Sequence, residues 1–85
     1  MIIVIKLHYF VNGMKNLQQG EFRVHVRKYK EDPDKEAARI AYEWFRKVKR
    51  DFIYDVTLYK VLYNEKDITE LVKEKESWPL NQVDE

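Results

Sequence analysis

Apolar and polar side chains alternate along Glu21–Lys30. Phe22, Val24 and Val26 fall on one side; Arg23, His25, Arg27 and Tyr29 fall on the other. A period of two belongs to a β-strand with one face buried and one in water. The pattern therefore predicts a strand here, its wet face a row of cations ending in an aromatic ring. Ile2–Val11 reads as a second strand, with Ile3, Ile5, Leu7, Tyr9 and Val11 on one face and Ile2, Val4, Lys6, His8 and Phe10 on the other. Its first half is apolar on both faces, which suits a central strand. Asn12-Gly13 favours a type I′ hairpin turn, because both residues tolerate positive φ. Clear alternation resumes only at Glu21, so Asn12–Gly20 is expected either as a nine-residue loop or as part of a longer hairpin.

The period changes to three-four after Pro33. Ala37, Ala41, Trp44, Phe45 and Val48 form an apolar stripe, with Ile40 on its border. Asp32 is suited to cap this helix and Pro33 to open it, since the first turn has amides without partners. Asp34 and Glu36 lie at the positive end of the helix dipole; Arg46, Lys47, Lys49 and Arg50 lie at the negative end. The helix is expected to stop near Arg50 or Asp51. A third strand follows over Phe52–Tyr63, with Tyr54, Val56, Leu58 and Leu62 inward and Asp55, Thr57, Tyr59, Val61 and Tyr63 outward; one bulge would exchange the faces. After a polar turn at Asn64-Glu65-Lys66, Asp67-Ile68-Thr69-Glu70 resembles a capping box and opens a short helix to about Lys75. Residues 76–85 are expected to be a flexible tail.

These elements predict one α+β domain over residues 1–75, a two-layer sandwich in ββαβα order. Its three-stranded antiparallel or mixed sheet has strand order 2-1-3, with the main helix on one face and a short C-terminal helix. Trp44 and Phe45 are placed against Ile3, Ile5, Leu7, Val24, Val26 and Val56. The other face then lies bare and carries Lys6, His8, Phe10, Arg23, His25, Arg27, Tyr29, Tyr59 and Tyr63, the candidate partner-binding residues.

Composition narrows the function more than it defines it. The 85 residues carry a net charge of +1, but the charge is polarised. Lys6, Lys15, Arg23, Arg27, Lys28 and Lys30 face only Glu21 in the first third, whereas Glu65, Asp67, Glu70, Glu74, Glu76, Asp84 and Glu85 outnumber Lys66, Lys73 and Lys75 at the end. An acidic C-terminal segment around Trp78 is therefore a candidate cover for the basic face. There are no cysteines, and a small secreted domain usually depends on disulfides, so a cytoplasmic location is expected. No stretch approaches the ~20 apolar residues of a membrane span.

The motifs of common chemistries are missing. The one serine is Ser77, and Gly13 and Gly20 stand too far apart for a phosphate loop. His8 and His25, side by side on the expected sheet, are too few for a structural zinc site without a third ligand, for which Asp55 is the one candidate; exposed polar strand residues are the ordinary reading. No enzyme activity, cofactor or metal is expected. The leading expectation is a protein-interaction module that uses the open basic and aromatic sheet face, with a homodimer as one form. The alternative is single-stranded RNA or DNA bound by the same face, because lysines meet phosphates and rings stack on bases.

Overall fold

The computed structural model describes residues 1–53 and 55–75. The chain runs through strands β1 (Ile2–Val11) and β2 (Met14–Arg23), helices α1 (Val26–Glu31) and α2 (Pro33–Asp51), and strands β3 (Val56–Tyr63) and β4 (Lys66–Asp67). Residues 69–75 form a last short helix, α3. The fold is α+β with a four-stranded antiparallel sheet in the order β2-β1-β3-β4. The expected 2-1-3 core is present; β4 extends it beyond β3. The expected tail and Tyr54 lie outside the described residues. Among the described residues no helix is long and apolar enough to cross a membrane.

β1 is central, as its two apolar faces require. Its odd-numbered side chains, Ile3 to Val11, are all buried. They meet Ala37, Ala41, Phe45 and Val48 of α2 and Ile68 and Val72 at the C-terminal end in one continuous core. Asp32 caps α2 with its carboxylate on the Lys35 amide, 3.2 Å away, and Pro33 opens the helix. Trp44 is only partly buried. Its ring lies on Phe22 of β2 (centroids 4.8 Å apart), and both rings sit over Gly20. A Cβ at Gly20 would stand 3.0 Å from the Phe22 ring, so the absent side chain makes room for this aromatic pair.

The second strand differs most from expectation. Asn12 and Gly13 have φ of 53° and 81°, the double positive φ of a type I′ turn. The return strand therefore starts at once, pairing Met14 with Val11 and proceeding to Arg23 opposite Ile2. The expected strand over Glu21–Lys30 is thus displaced, and its alternation ends at Arg23. Pairing with β1 ends with Arg23 opposite Ile2, followed by one last bond from the Val24 amide to the Met1 carbonyl. Backbone without a neighbouring strand must satisfy itself locally, and Val26–Glu31 does so as α1. The His25 imidazole accepts from the Lys28 amide at 3.4 Å. Val26, expected in the core, is exposed.

The third strand carries the bulge that would reverse its faces. Pairing shifts between His8 and Tyr9, so that Lys60 faces His8, Leu58 faces Tyr9, and Tyr59 is the extra residue. Val56 and Leu58 point inward before the bulge, and Val61 and Tyr63 after it. Tyr63 and Val61 are therefore core residues, and Leu62 is not. Asp55 lies exposed just ahead of the strand rather than within it. A second two-residue turn, Asn64-Glu65, again has both φ positive and brings in β4.

Because Gly13 needs a φ of 81° and an added Cβ there would meet nothing within 4 Å, its substitution isolates the backbone cost. Gly13→Ala is expected to lower stability by about 1 kcal/mol, roughly 5 °C in Tm for a domain of this size. Thermal unfolding followed by circular dichroism measures it, and an unchanged Tm would show that the turn does not hold this conformation.

Candidate interaction surface

In an antiparallel pair, residues directly opposite share a face. The register therefore puts Ile2, Val4, Lys6, His8 and Phe10 of β1 beside Arg23, Glu21, Gln19, Leu17 and Lys15 of β2 on the side away from α2. β3 adds Thr57, Tyr59, Lys60 and Leu62. Among the described residues no element covers this face; α2 packs on the other side of β1 and β3. The molecule is accordingly only 19 Å thick in its shortest dimension, a sheet with one layer of helix.

The bulge produces the centre of the face. Tyr59, the extra residue, faces outward beside Lys60, and its ring stands edge-on to Phe10 at 5.4 Å and to His8 at 6.4 Å. Lys15 reaches across from β2 to place its ammonium 5.1 Å from the same ring. Apolar surface stays wet at this cluster, where Tyr59 is 46% exposed and Leu17 57%, and at the other end of β1, where Ile2 is 56% exposed. Lys6 is held by Glu65 at 2.9 Å. A groove of about 870 Å³ leads from Tyr59 and Lys60 past Asp67 and Thr69 to Leu71 and Lys73.

Of the nine candidate residues, Lys6, His8, Phe10 and Tyr59 come together as expected, and Arg23 shares their face at the far end of β2. The other four do not join them. His25 caps α1 and Arg27 lies exposed on that helix. Tyr29, also on α1, turns back to the core, where its hydroxyl meets that of Tyr63 at 2.7 Å. Burial, reinforced by this hydrogen bond, pushes the Tyr63 phenol up to about 12. The residues the sequence pattern missed are Lys15 and Leu17. The signal for them was Asn12-Gly13 itself: pairing counted outward from that turn sets Lys15 opposite Phe10 and Leu17 opposite His8.

Two polar groups look chemical and are structural. Thr69 is committed: its hydroxyl donates to Asp67 Oδ1 at 2.5 Å and accepts from the Val61 amide at 2.9 Å. These bonds and the Thr69 amide hold the Asp67 carboxylate below its ordinary pKa. The acceptor expected at Asp67 is thus real, but it serves Thr69. Glu36 is only 3% exposed. Arg39 grips both its oxygens, at 2.9 and 2.8 Å, and the His25 amide donates to Oε2 at 3.0 Å. Arg39 also reaches Glu43 at 3.0 Å. This network fastens the start of α1 to α2 and favours the ionised form of Glu36.

His8 stands on the open face of β1, and His25 sits at the start of α1, where its imidazole accepts from the Lys28 amide. Among the described residues no three His, Cys, Asp or Glu side chains are grouped to hold a metal. The chain matches no family model, no curated protein and no solved structure.

The Arg39 hydrogen bonds lower the Glu36 pKa from 4.5 to about 2, outweighing the opposing effect of burial. A depressed carboxylate stabilises the fold fully above its unfolded pKa, and that contribution disappears as pH falls through the folded value. For Glu36 it amounts to about 3 kcal/mol. Glu36→Gln is therefore expected to be less stable than the parent by this order at neutral pH and nearly equal to it at about pH 2. Urea unfolding across this range tests it; a gap that did not close in acid would deny the carboxylate its role.

Proposed function

We propose that the protein is a non-enzymatic interaction module whose open sheet face receives another polypeptide. The single observation that carries this reading is the uncovered cluster of Phe10, His8 and Tyr59 with exposed Leu17 beside it. Contiguous exposed apolar and aromatic surface of this kind is unfavourable in water and marks contact sites. Tyr and Arg are also the residues that most often anchor interfaces, and Tyr59 is central while Arg23 is peripheral. The bulge supports the same reading, since bulges re-aim side chains at functional edges. The hydroxyl of Thr69, beside the groove, is held by Asp67 and the Val61 amide, which agrees with a face used for recognition.

The rival occupant is single-stranded nucleic acid, favoured by Lys15 over the Tyr59 ring and by Lys6, Lys60 and Arg23 on the same face. Against it, Lys6 is already neutralised by Glu65, and Glu21 and Asp67 share the face.

The test uses a photo-crosslinking residue at position 59 and, as a control, at Arg46 on the solvated side of α2, in cells that make the protein. A discrete protein adduct from position 59, lost with Phe10→Ser and absent from position 46, is the expected result. Equal labelling from both positions would contradict the assignment. In parallel, the anisotropy of labelled oligonucleotides is expected to stay flat at low salt; binding that weakens steeply as salt rises would transfer the face to nucleic acid.

A further inference from the structure

β2 is ten residues long and lies at the edge of the sheet, with nothing paired to its outer side among the described residues. The hairpin register decides which of its groups face outward. Met14 and Val11 flank a two-residue turn and so exchange both backbone hydrogen bonds; the pattern then alternates. The Val24 amide on the Met1 carbonyl, 3.2 Å away, continues the same alternation. The even-numbered residues of β2 therefore bond to β1. The odd-numbered ones, Lys15 to Arg23, direct their amides and carbonyls to open water.

We infer that this edge pairs antiparallel with β2 of a second copy of the chain, with Gln18 on the two-fold axis, joining two sheets into one of eight strands. The register follows from charge. About Gln18, Lys15 faces Glu21 of the second copy, and by symmetry the pair occurs twice. Leu17 faces Gln19 on the same side, and on the helix side Met14 faces Phe22. Moving the axis one residue towards Gln19 sets Lys15 opposite Arg23, a like-charge pair that is unfavourable. Moving it to Leu17 leaves Glu21 facing the Gly13 turn and Lys15 facing Gln19. Of these three axes only Gln18 matches opposite charges and uses every outward amide from Lys15 to Glu21; an axis at Phe22 would pair Glu21 with Arg23 but overlap only the end of the strand. Glu21 and Met14 are exposed and available for it. Lys15 exchanges its position over Tyr59 for the carboxylate. Because the axis is perpendicular to the sheet, both open faces point the same way. The inference does not rest on what that face binds.

Sedimentation velocity of the full chain across a concentration series provides the test. A dimer is expected. Leu17→Pro removes an outward amide that β1 does not use, so the monomer keeps its circular dichroism spectrum while the dimer is lost. Lys15→Glu and Glu21→Lys each place like charges opposite one another twice, and each is expected to weaken self-association about tenfold. Mixed in equal amounts, these two variants restore opposite pairs at both sites and are expected to form a heterodimer. A wild-type chain that stays monomeric at every concentration overturns the inference. So does a dimer indifferent to Leu17→Pro but lost with Tyr59→Ser, which would place the second copy on the open face.

Discussion

The two-residue turn at Asn12-Gly13 is the constraint from which the arrangement follows. Once both residues adopt positive φ, Met14 must face Val11, and the pairing of every residue back to Arg23 is settled. A slip of one residue would send Phe22 to the wet face and Arg23 into the core. The same register sets which side chains lie bare, which backbone groups point to the sheet edge, and where the strand runs out of partner. The corner at Val24 and His25 results, and the Glu36–Arg39 pair holds it.

Two local departures from regularity then generate the surface. At the corner, the chain leaves the sheet, and three residues that would have extended the polar and aromatic face go elsewhere: His25 to a helix cap, Arg27 to solvent, Tyr29 to the hydroxyl of Tyr63. At the bulge, β3 spends one residue to face Leu58 and Val61 both inward, and Tyr59 is turned out against Phe10 and His8. The result carries fewer cations and fewer rings than a regular strand in the same place would give, with Tyr59, Phe10 and His8 gathered at its centre. An apolar centre with scattered charges of both signs suits a polypeptide partner better than a phosphate backbone.

The central strand, the main helix and the α+β architecture were legible in the residues. Ile2–Val11 is apolar on both faces, and Asp32-Pro33 followed by three-four spacing marks α2 without ambiguity. The second strand was not, for a physical reason. Met14–Glu21 lies at the sheet edge with both sides largely wet, so burial imposes no alternation on it. Past Val24 the alternation is a coincidence, because Val26–Glu31 is a short helix with no fully buried residue of its own. The turn signal outweighed the period, because a turn acts on two residues' backbone angles whereas a period reports burial. The faces of β3 were legible only to the extent that a bulge was allowed for; Lys60 among apolar neighbours was its trace.

Amide hydrogen exchange at a concentration low enough to keep the chain monomeric measures the hairpin register residue by residue. The account requires Asn16, Gln18, Gly20 and Phe22 to exchange slowly, because their amides bond to β1, and Lys15, Leu17, Gln19 and Glu21 to exchange fast. The reversed pattern, or slow exchange in strand-like alternation through Arg27 and Tyr29, would mean a different hairpin, and the face and edge described above would not exist.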